Sequence, residues 1–199
     1  MIDVLFFAKA PRPGIVKTRL AVSIGEDAAV ELYRTIGRRI VDQIRPVSNV
    51  TVYYDPPDAL LEAREWLGDA EFRRQSDGSL GDRLTAALHE HFADNPTASV
   101  LAIGADAPQV DADVVTGAAG ALDSADVVLG PAMDGGYYLI GLKQERPNLF
   151  RAIPWSSSTV FAATKAACDA AQLETTVLPT LRDIDTVEDA VALGVWPLT

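Results

Sequence analysis

The sequence predicts an α/β protein with a mostly parallel sheet, and three observations favour this class. Short runs of branched or aliphatic residues alternate along the chain with longer segments whose apolar residues recur at helical spacing. Gly, Pro or Asp residues bound the apolar runs, as expected of strands that end in turns. Each run is apolar at nearly every position, which is typical of strands buried on both faces of a sheet. Strand alternating with helix implies right-handed crossovers between parallel strands.

Six segments are predicted to be strands, of which the last is short: 2–8, 50–54, 100–104, 127–130, 137–142 and 175–178. Between them, the segment Glu26–Ile44 places Ala29, Leu32, Tyr33, Ile36, Ile40 and Ile44 at helical spacing. Further helices are predicted over 58–67, 80–92, 112–122, 160–171 and 187–193. Because the chain has no internal repeat, low-complexity segment or linker, we expect one domain over residues 1–199.

Composition narrows the classes of protein to consider. The 199 residues are 48% hydrophobic, enough for one sizeable core, and Lys+Arg 17 against Asp+Glu 28 gives a net charge of −11. This balance argues against binding to nucleic acid or to anionic lipid, although a small basic pocket is compatible with it. No stretch approaches the ~20 apolar residues of a membrane span. The single cysteine, Cys168, excludes a disulfide framework, so we expect a cytoplasmic protein. From the charge and the lack of a long apolar stretch, we expect neither nucleic-acid nor membrane partners.

In open α/β sheets, ligands bind beyond the carboxyl ends of the strands, so the residues that follow each strand are candidates for a site. The first such segment, KAPRPGIVKTRL (9–20), carries four basic residues and no acid. It is not a Walker A loop, because Val16 precedes Lys17 where that motif has Gly. We expect the prolines and glycine to shape a loop and the cations to bind phosphate, the alternative being a solvated basic loop. The predicted nucleotide contacts are Lys9, Pro11, Gly14, Lys17, Thr18 and Arg19.

The second candidate is the segment QSDGSLGDR (75–83), which precedes and begins a predicted helix. Its glycines allow a ligand to approach the backbone closely, and Arg83 lies in the first helical turn, where a cation opposes the helix dipole. Gln75, Gly81 and Arg83 are therefore candidate nucleotide contacts. The alternative is a simple turn in which Asp77 or Ser79 caps the helix.

Two further segments offer carboxylates to a metal ion. Asp106 in IGADAP follows an apolar strand, a position that suits a cation such as Mg²⁺ that also touches phosphates. The alternative, that Asp106 caps the next helix, is weaker because Asp111 and Asp113 lie nearer to that helix. In LRDIDT, one of Asp183 and Asp185 is a candidate second ligand. The alternative is that Asp185 or Thr186 caps the last helix, and spacing does not separate these possibilities.

The segment GPAMDGGYY (130–138) lies between two predicted strands. Its Asp-Gly-Gly sequence is either only a turn or a place where backbone N–H groups approach a sugar or phosphate. In the second case Asp134 orients a hydroxyl or acts as a general base. Gly135, Gly136 and Tyr137 are then candidate substrate contacts, as is Trp155, whose ring suits the wall of a pocket.

Five blocks together resemble a bacterial family usually named radical-SAM/selenodomain-associated transferase: FFAKAPRPGIVKTRL (6–20), QSDGSLGDRL (75–84), IGADAP (103–108), GPAMDGGYYLIGL (130–142) and LRDIDT (181–186). Its members are similar to GT-A-type nucleotide-diphospho-sugar transferases and to the molybdenum-cofactor and 2-phospholactate guanylyltransferases. Two features depart from these relatives. The first loop lacks the Gly-x-Gly-x-x-x-Arg-Met pattern of nucleotidyltransferases, and Gly104 replaces the first Asp of the Asp-x-Asp found in many glycosyltransferases.

The resemblance implies a three-layer α/β/α sandwich with a GT-A/Rossmann-like fold, and a nucleotide bound over the first loop. It implies Mg²⁺ or Mn²⁺ held by Asp106 with Asp185 or Asp183, and phosphates neutralised by Lys9, Lys17 and Arg19. The turn at Asp134 would face the acceptor.

Three functional hypotheses follow. In the leading one, a metal-dependent transferase moves sugar from a nucleotide-sugar donor to a small-molecule acceptor, with Lys17 and Arg19 neutralising the leaving diphosphate and Asp134 as base. In the alternative, a nucleotidyltransferase, a phosphorylated acceptor attacks the α-phosphorus of a nucleoside triphosphate (NTP) and pyrophosphate leaves. A nucleotide-binding regulatory protein without turnover is the third hypothesis. The sequence does not predict the oligomeric state.

Overall fold

Seven strands form one sheet in the computed structural model, which describes residues 1–197; the last two residues of the predicted domain lie outside the described part. The strands are β1 Ile2–Lys9, β2 Ser48–Asp55, β3 Glu71–Arg74, β4 Val100–Gly104, β5 Val127–Pro131, β6 Tyr137–Leu142 and β7 Thr175–Val177. Their spatial order is β3-β2-β1-β4-β6-β5-β7. Neighbouring strands are parallel except that β6 runs antiparallel to β4 and β5, so the prediction of a mostly parallel sheet is confirmed.

The helices are α1 Thr18–Ile24, α2 Glu26–Ile44, α3 Leu60–Leu67, α4 Leu80–Asp94, α5 Ala112–Ala121, α6 Val160–Ala170 and α7 Val187–Ala192, with a 3-10 helix at Pro147–Phe150. Local chemistry fixes several of their ends. A capping box starts α4, in which Ser79 and Asp82 each accept a hydrogen bond from the other's backbone N–H. Thr186 and Asp189 start α7 in the same way.

Two apolar cores cover the two faces of the sheet. Phe6 and Leu139 face the core that α1, α2, α3, α5 and α7 share, whereas their chain neighbours Leu5 and Ile140 face the core beneath α4 and α6. Alternate residues of each central strand therefore point to opposite buried layers, which explains why the strands are apolar at nearly every position. The predicted three-layer α/β/α architecture is confirmed. Within residues 1–197, no helix combines the length and apolarity that crossing a membrane requires.

Two elements differ from the sequence predictions. Strand β3 was not predicted, because its sequence EFRR is short and charged, as is common at the edge of a sheet. Helix α1 occupies part of the segment predicted to be an irregular loop, since the residues after Gly14 contain nothing that stops a helix. Thr18 and Arg19 therefore lie in a first helical turn and not in a loop.

Candidate functional site

A cleft of about 630 Å³ opens at the carboxyl ends of β1 and β4 and the facing start of β6. Parallel strands present these ends at one edge of the sheet, where ligands bind in this class of fold. Many of the predicted site residues line this cleft: Lys9, Lys17, Thr18, Arg19, Gln75, Arg83, Asp106, Tyr137 and Asp185. The structure therefore brings together residues that are up to 176 positions apart in the chain.

Lys17 is buried at the centre of this arrangement, with a side chain only 5% exposed. Its ammonium group lies 2.5 Å from Asp106 Oδ1 and 3.7 Å from Asp185 Oδ1, and it donates a hydrogen bond to the carbonyl of Ile184. The backbone N–H of Ile184 in turn donates to the carbonyl of Asp106 at 3.1 Å. Lys17 thus ties the loop after β4 to the segment before α7. Since this ammonium group engages the carboxylate of Asp106, a metal-ligand role for Asp106 stays a prediction.

The two arginines of the first loop, Arg12 and Arg19, differ sharply in their surroundings. Arg12 forms a 2.7 Å ion pair with Glu62 of α3 and a 3.2 Å ion pair with Asp58, which fasten the loop to that helix. Arg19 is 78% exposed and lies 3.0 Å from Asp185 Oδ2. Arg12 is therefore a structural clamp, while Arg19 keeps an accessible guanidinium group at the cleft.

Of the remaining predicted residues of this loop, Lys9 lines the cleft, whereas Pro11 and Gly14 shape the loop. Lys9 ends β1 with an exposed side chain at the cleft, and its backbone N–H donates to the hydroxyl of Tyr33. Pro11 is buried, and Gly14 has a φ of +75°, a conformation that favours glycine. In the described part of the chain, Pro11 and Gly14 are not among the residues that line the cleft.

Arg83 is held from three sides at the other end of the cleft. Its Nε donates to the carbonyl of Gly78 at 3.2 Å, and its Nη1 donates to Gln75 Oε1 at 3.0 Å. The same Nη1 lies 3.0 Å from Asp55 Oδ2. Sequence reasoning missed Asp55, although it directly follows the predicted strand 50–54 and so satisfied the rule that identified the other candidates.

Gln75 is 6% exposed and holds the strand ends together. Its amide nitrogen donates to the carbonyls of Ala8, at 3.2 Å, and Tyr53, at 2.8 Å. Both amide hydrogens are thus bound to backbone, and Oε1 accepts from Arg83. Gln75 lines the cleft, but these bonds occupy its side chain with positioning the neighbouring groups, and its predicted contact with nucleotide stays a prediction.

Three carboxylates cluster where the β5–β6 turn meets the segment before α7. Asp134, Asp183 and Asp185 each place an oxygen within 4.8 Å of the others. Burial raises the pKa of Asp183 to about 6, with the charge of Asp134 acting in the same direction. Carboxylate oxygens are the donors that Mg²⁺ and Mn²⁺ prefer, so the donor set fits a divalent cation. Both alternatives for the second predicted ligand, Asp183 and Asp185, are in this cluster.

The Asp-Gly-Gly turn is packed tightly against the start of α6. Asp134 Oδ1 accepts a 2.7 Å hydrogen bond from the N–H of Gly136, and Gly135 has a φ of +89°. A Cβ atom on Gly135 would lie 2.0 Å from the carbonyl oxygen of Ser158. Glycine is therefore required at position 135 by the fold alone, which makes Gly135 a residue that shapes the turn.

The two aromatic candidates, Tyr137 and Trp155, pack against each other between the cleft and a neighbouring depression. Tyr137 lines the cleft, and Trp155 packs edge-on against it with ring centroids 6.3 Å apart. Trp155 also covers Gly81, where a Cβ atom would lie 2.4 Å from the indole Nε1. In the described part of the chain, Trp155 and Gly81 line a neighbouring depression and not the cleft itself. Their predicted contacts with nucleotide or substrate remain predictions.

Comparisons with known proteins identify the family of the chain and its fold. Residues 41–157 match the DUF2064 family, described as "uncharacterized protein conserved in bacteria". A search of curated proteins gives no match. Among solved structures, a Desulfovibrio desulfuricans G20 protein provisionally named a nucleotide-diphospho-sugar transferase is 35% identical, with a TM-score of 0.91 over 97% of this chain and 87% of that chain.

More distant structures share the fold. CMP:2-keto-3-deoxy-manno-octonic acid synthetase, solved with CTP, has a TM-score of 0.60 at 14% identity and 99% coverage of both chains. A cytidylyltransferase from Leptospira borgpetersenii serovar Hardjo-bovis (strain JB197) has a TM-score of 0.57 at 15% identity, over 96% of this chain and 84% of that chain. The family match covers more than half of the chain, and the 35% identical relative covers nearly all of it. The chain belongs to the DUF2064 family and has the α/β fold of the nucleotide-diphospho-sugar transferases.

Proposed function

We propose that this chain is a transferase that binds a nucleotide-sugar donor in the cleft and passes the sugar to a small-molecule acceptor. The observation that carries the proposal is the convergence of Lys9, Lys17 and Arg19 with Asp106 and Asp185 at one edge of the sheet. In a protein with a net charge of −11, cations concentrated at a cleft favour an anionic ligand there. The name of the 35% identical relative supports a nucleotide-diphospho-sugar donor.

The order of the strands supports one orientation of the donor. Lys17 and Asp106 lie in the segments that follow β1 and β4, whereas Asp55 ends β2 and Gln75 follows β3 on the other side of β1. A diphosphate neutralised by Lys17 would therefore direct its nucleoside toward Arg83. Fixed cations aimed at the departing diphosphate stabilise the charge that develops as the donor bond breaks.

We further propose that Mg²⁺ or Mn²⁺ is the cofactor, held by Asp106 and Asp185. Asp183 and Asp134 lie close enough to Asp185 to share the ion. When bound, the ion would neutralise diphosphate oxygens. Lys17 pairs with both Asp106 and Asp185, so its positive charge would become available to the phosphates when the ion takes up these carboxylates.

Asp134 is the proposed general base for an acceptor hydroxyl, because its carboxylate is exposed at the turn. A specific observation favours a second candidate function, nucleotidyl transfer from an NTP to a phosphorylated acceptor. Asp134 lies beside Asp183 and Asp185, an arrangement that suits holding a cation as well as it suits accepting a proton. Nucleotidyl transfer to a phosphate needs no protein base, because the acceptor phosphate is already a nucleophile.

The reaction products distinguish the two functions. We expect turnover of a nucleotide sugar to release nucleoside diphosphate, and Asp134→Asn to bind the donor normally while losing about 10²–10⁴-fold in rate. Asp113→Asn, which alters an exposed carboxylate at the start of α5, is the matched control and should keep full activity. Pyrophosphate released from an NTP, with a nearly active Asp134→Asn variant, would reject the sugar-transfer proposal in favour of nucleotidyl transfer.

A further inference from the structure

The guanidinium group of Arg83 has donors that the protein does not use. Its Nε and Nη1 bind the carbonyl of Gly78 and Oε1 of Gln75. Within residues 1–197, Nη2 makes no hydrogen bond. It is also not fully buried, so solvent or a ligand can reach it. The side chain is 23% exposed and lines the cleft. The two N–H groups of Nη2 are therefore available to a ligand.

Asp55 offsets part of the positive charge of Arg83. Its Oδ2 lies 3.0 Å from Nη1 of Arg83, and both side chains are less than a quarter exposed. This pairing makes Arg83 a weaker partner for a phosphate than an arginine with no carboxylate beside it. A paired guanidinium with free N–H groups suits an uncharged acceptor, such as a carbonyl, ring nitrogen or hydroxyl.

Gln75 fixes the direction of the donors. Its amide nitrogen is bound to the carbonyls of Ala8 and Tyr53 at the ends of β1 and β2, so Oε1 has one position. Because a guanidinium is planar, holding Nε and Nη1 also sets the direction of Nη2. The orientation of this group thus depends on two sheet strands and not on a flexible side chain.

We propose that Asp55 and Gln75 are positioning residues that hold Arg83 so that its Nη2 donates to an uncharged acceptor on the nucleoside, and not to the phosphates. This inference rests on the proposed function, because it requires a nucleotide in the cleft. It deepens that function by assigning Arg83 to selection of the base or ribose, at the end of the cleft away from Lys17.

The first test compares nucleotides with inorganic pyrophosphate by calorimetry in the presence of Mg²⁺. Arg83→Lys keeps the positive charge but loses the planar donor pair. We expect the variant to bind the preferred nucleoside diphosphate roughly 10- to 100-fold more weakly and pyrophosphate within about twofold of the wild type. Arg74→Lys is the matched control, because Arg74 ends β3 in an ion pair with Asp77, and it should bind both ligands normally.

The second test asks whether Asp55 acts through Arg83. Asp55→Asn keeps the size of the side chain but releases Arg83 from one of its fixed partners and exposes its charge, so the preference for the nucleoside diphosphate over pyrophosphate should fall. In an Arg83→Met background, Asp55→Asn should change nucleotide affinity by less than about twofold. A residue with only a structural role would change both ligands in the same direction in either background. Thermal unfolding of each variant checks that the fold is intact.

The outcomes separate this inference from the function on which it rests. A wild-type protein that binds no nucleotide would overturn both. Normal nucleotide binding by the wild type, combined with equal losses of nucleotide and pyrophosphate in Arg83→Lys, would leave the proposed function standing. That second outcome would overturn the assignment of Arg83 to the nucleoside.

Discussion

At the scale of single residues, Lys17 shows how burial changes the part a cation can play. It has a left-handed backbone conformation, with a φ of 50°, that residues other than glycine, Asn or Asp adopt only with strain. Its ammonium group nevertheless contacts oxygens of Asp106, Ile184 and Asp185. Strain at a residue so completely partnered is typical of a position whose geometry serves a site.

Lys17→Met should therefore lower the free energy of unfolding by about 1–3 kcal/mol, because it removes the ion pairs of this buried ammonium group with Asp106 and Asp185 and its hydrogen bond to the carbonyl of Ile184. Arg19→Met should cost less than about 0.5 kcal/mol, since the arginine is 78% exposed. Urea unfolding at pH 7 measures both values. Equal losses in the two variants would show that the Lys17 ion pair contributes no more than a surface contact.

Asp183 gives a prediction about pH. The pKa of this carboxyl is about 6 in the folded protein against an ordinary value of 3.8, so the folded state binds the proton more tightly. The stabilisation is fully present below about pH 4 and is lost as the pH rises through 6. Asp183→Asn keeps the neutral form at every pH. Relative to the wild type, it should gain about 1–2 kcal/mol of stability between pH 4 and pH 8, measured with a chelator present.

A difference between the two proteins that does not vary with pH would refute this assignment. The same titration with Mn²⁺ in place of chelator provides a control for the acidic cluster. If the cation binds there, it should remove much of the wild type's disadvantage at pH 8, because it compensates the repulsion between Asp183 and Asp134.

At the scale of elements, the sequence predicted most strands because an apolar run bounded by turn residues is a local signal. The β4 segment Val100–Gly104 agrees to the residue, whereas the charged β3 carried no such signal. Sequence reasoning also located Lys17 and Asp106 in the segments that follow two strands. It could not predict that they form an ion pair, or that Gln75 bonds to backbone, because those contacts join distant parts of the chain.

The β5–β6 turn offers a test of packing at this scale. Gly135→Ala combines a positive φ with a Cβ placed 2.0 Å from a carbonyl oxygen of Ser158, so it should cost more than about 2 kcal/mol and displace the start of α6. Gly14→Ala is the matched control, because Gly14 also has a positive φ but a Cβ there would meet nothing within 4 Å. It should cost only about 1 kcal/mol. Similar losses at the two glycines would argue that backbone strain, and not the contact with Ser158, decides the effect.

At the scale of the whole molecule, the site depends on one pairing of strands. In one half of the sheet, formed by β3, β2, β1 and β4, Lys9 ends β1, and Gln75 and Asp106 follow β3 and β4. In the other half, formed by β6, β5 and β7, Asp134 lies in the turn between β5 and β6. The two halves of the sheet meet where β4 pairs antiparallel with β6, with Leu101 opposite Gly141. The packing of this seam thus helps to set the distance between the basic loop and the turn with Asp134, together with the direct contacts of Lys17.

The seam can be tested with a double-mutant cycle. A Cβ on Gly141 would lie 2.7 Å from Leu101 Cδ2, so Gly141→Ala should overpack the seam and cost about 1–3 kcal/mol. Leu101→Ala should leave a cavity and cost about 2–5 kcal/mol, since Leu101 is fully buried. In the double variant, the new methyl occupies space that the leucine vacated, so the combined loss should be at least about 1 kcal/mol less than the sum. Urea unfolding of the wild type, the two single variants and the double variant measures the coupling. Strictly additive losses would show that Leu101 and position 141 do not share a packing contact.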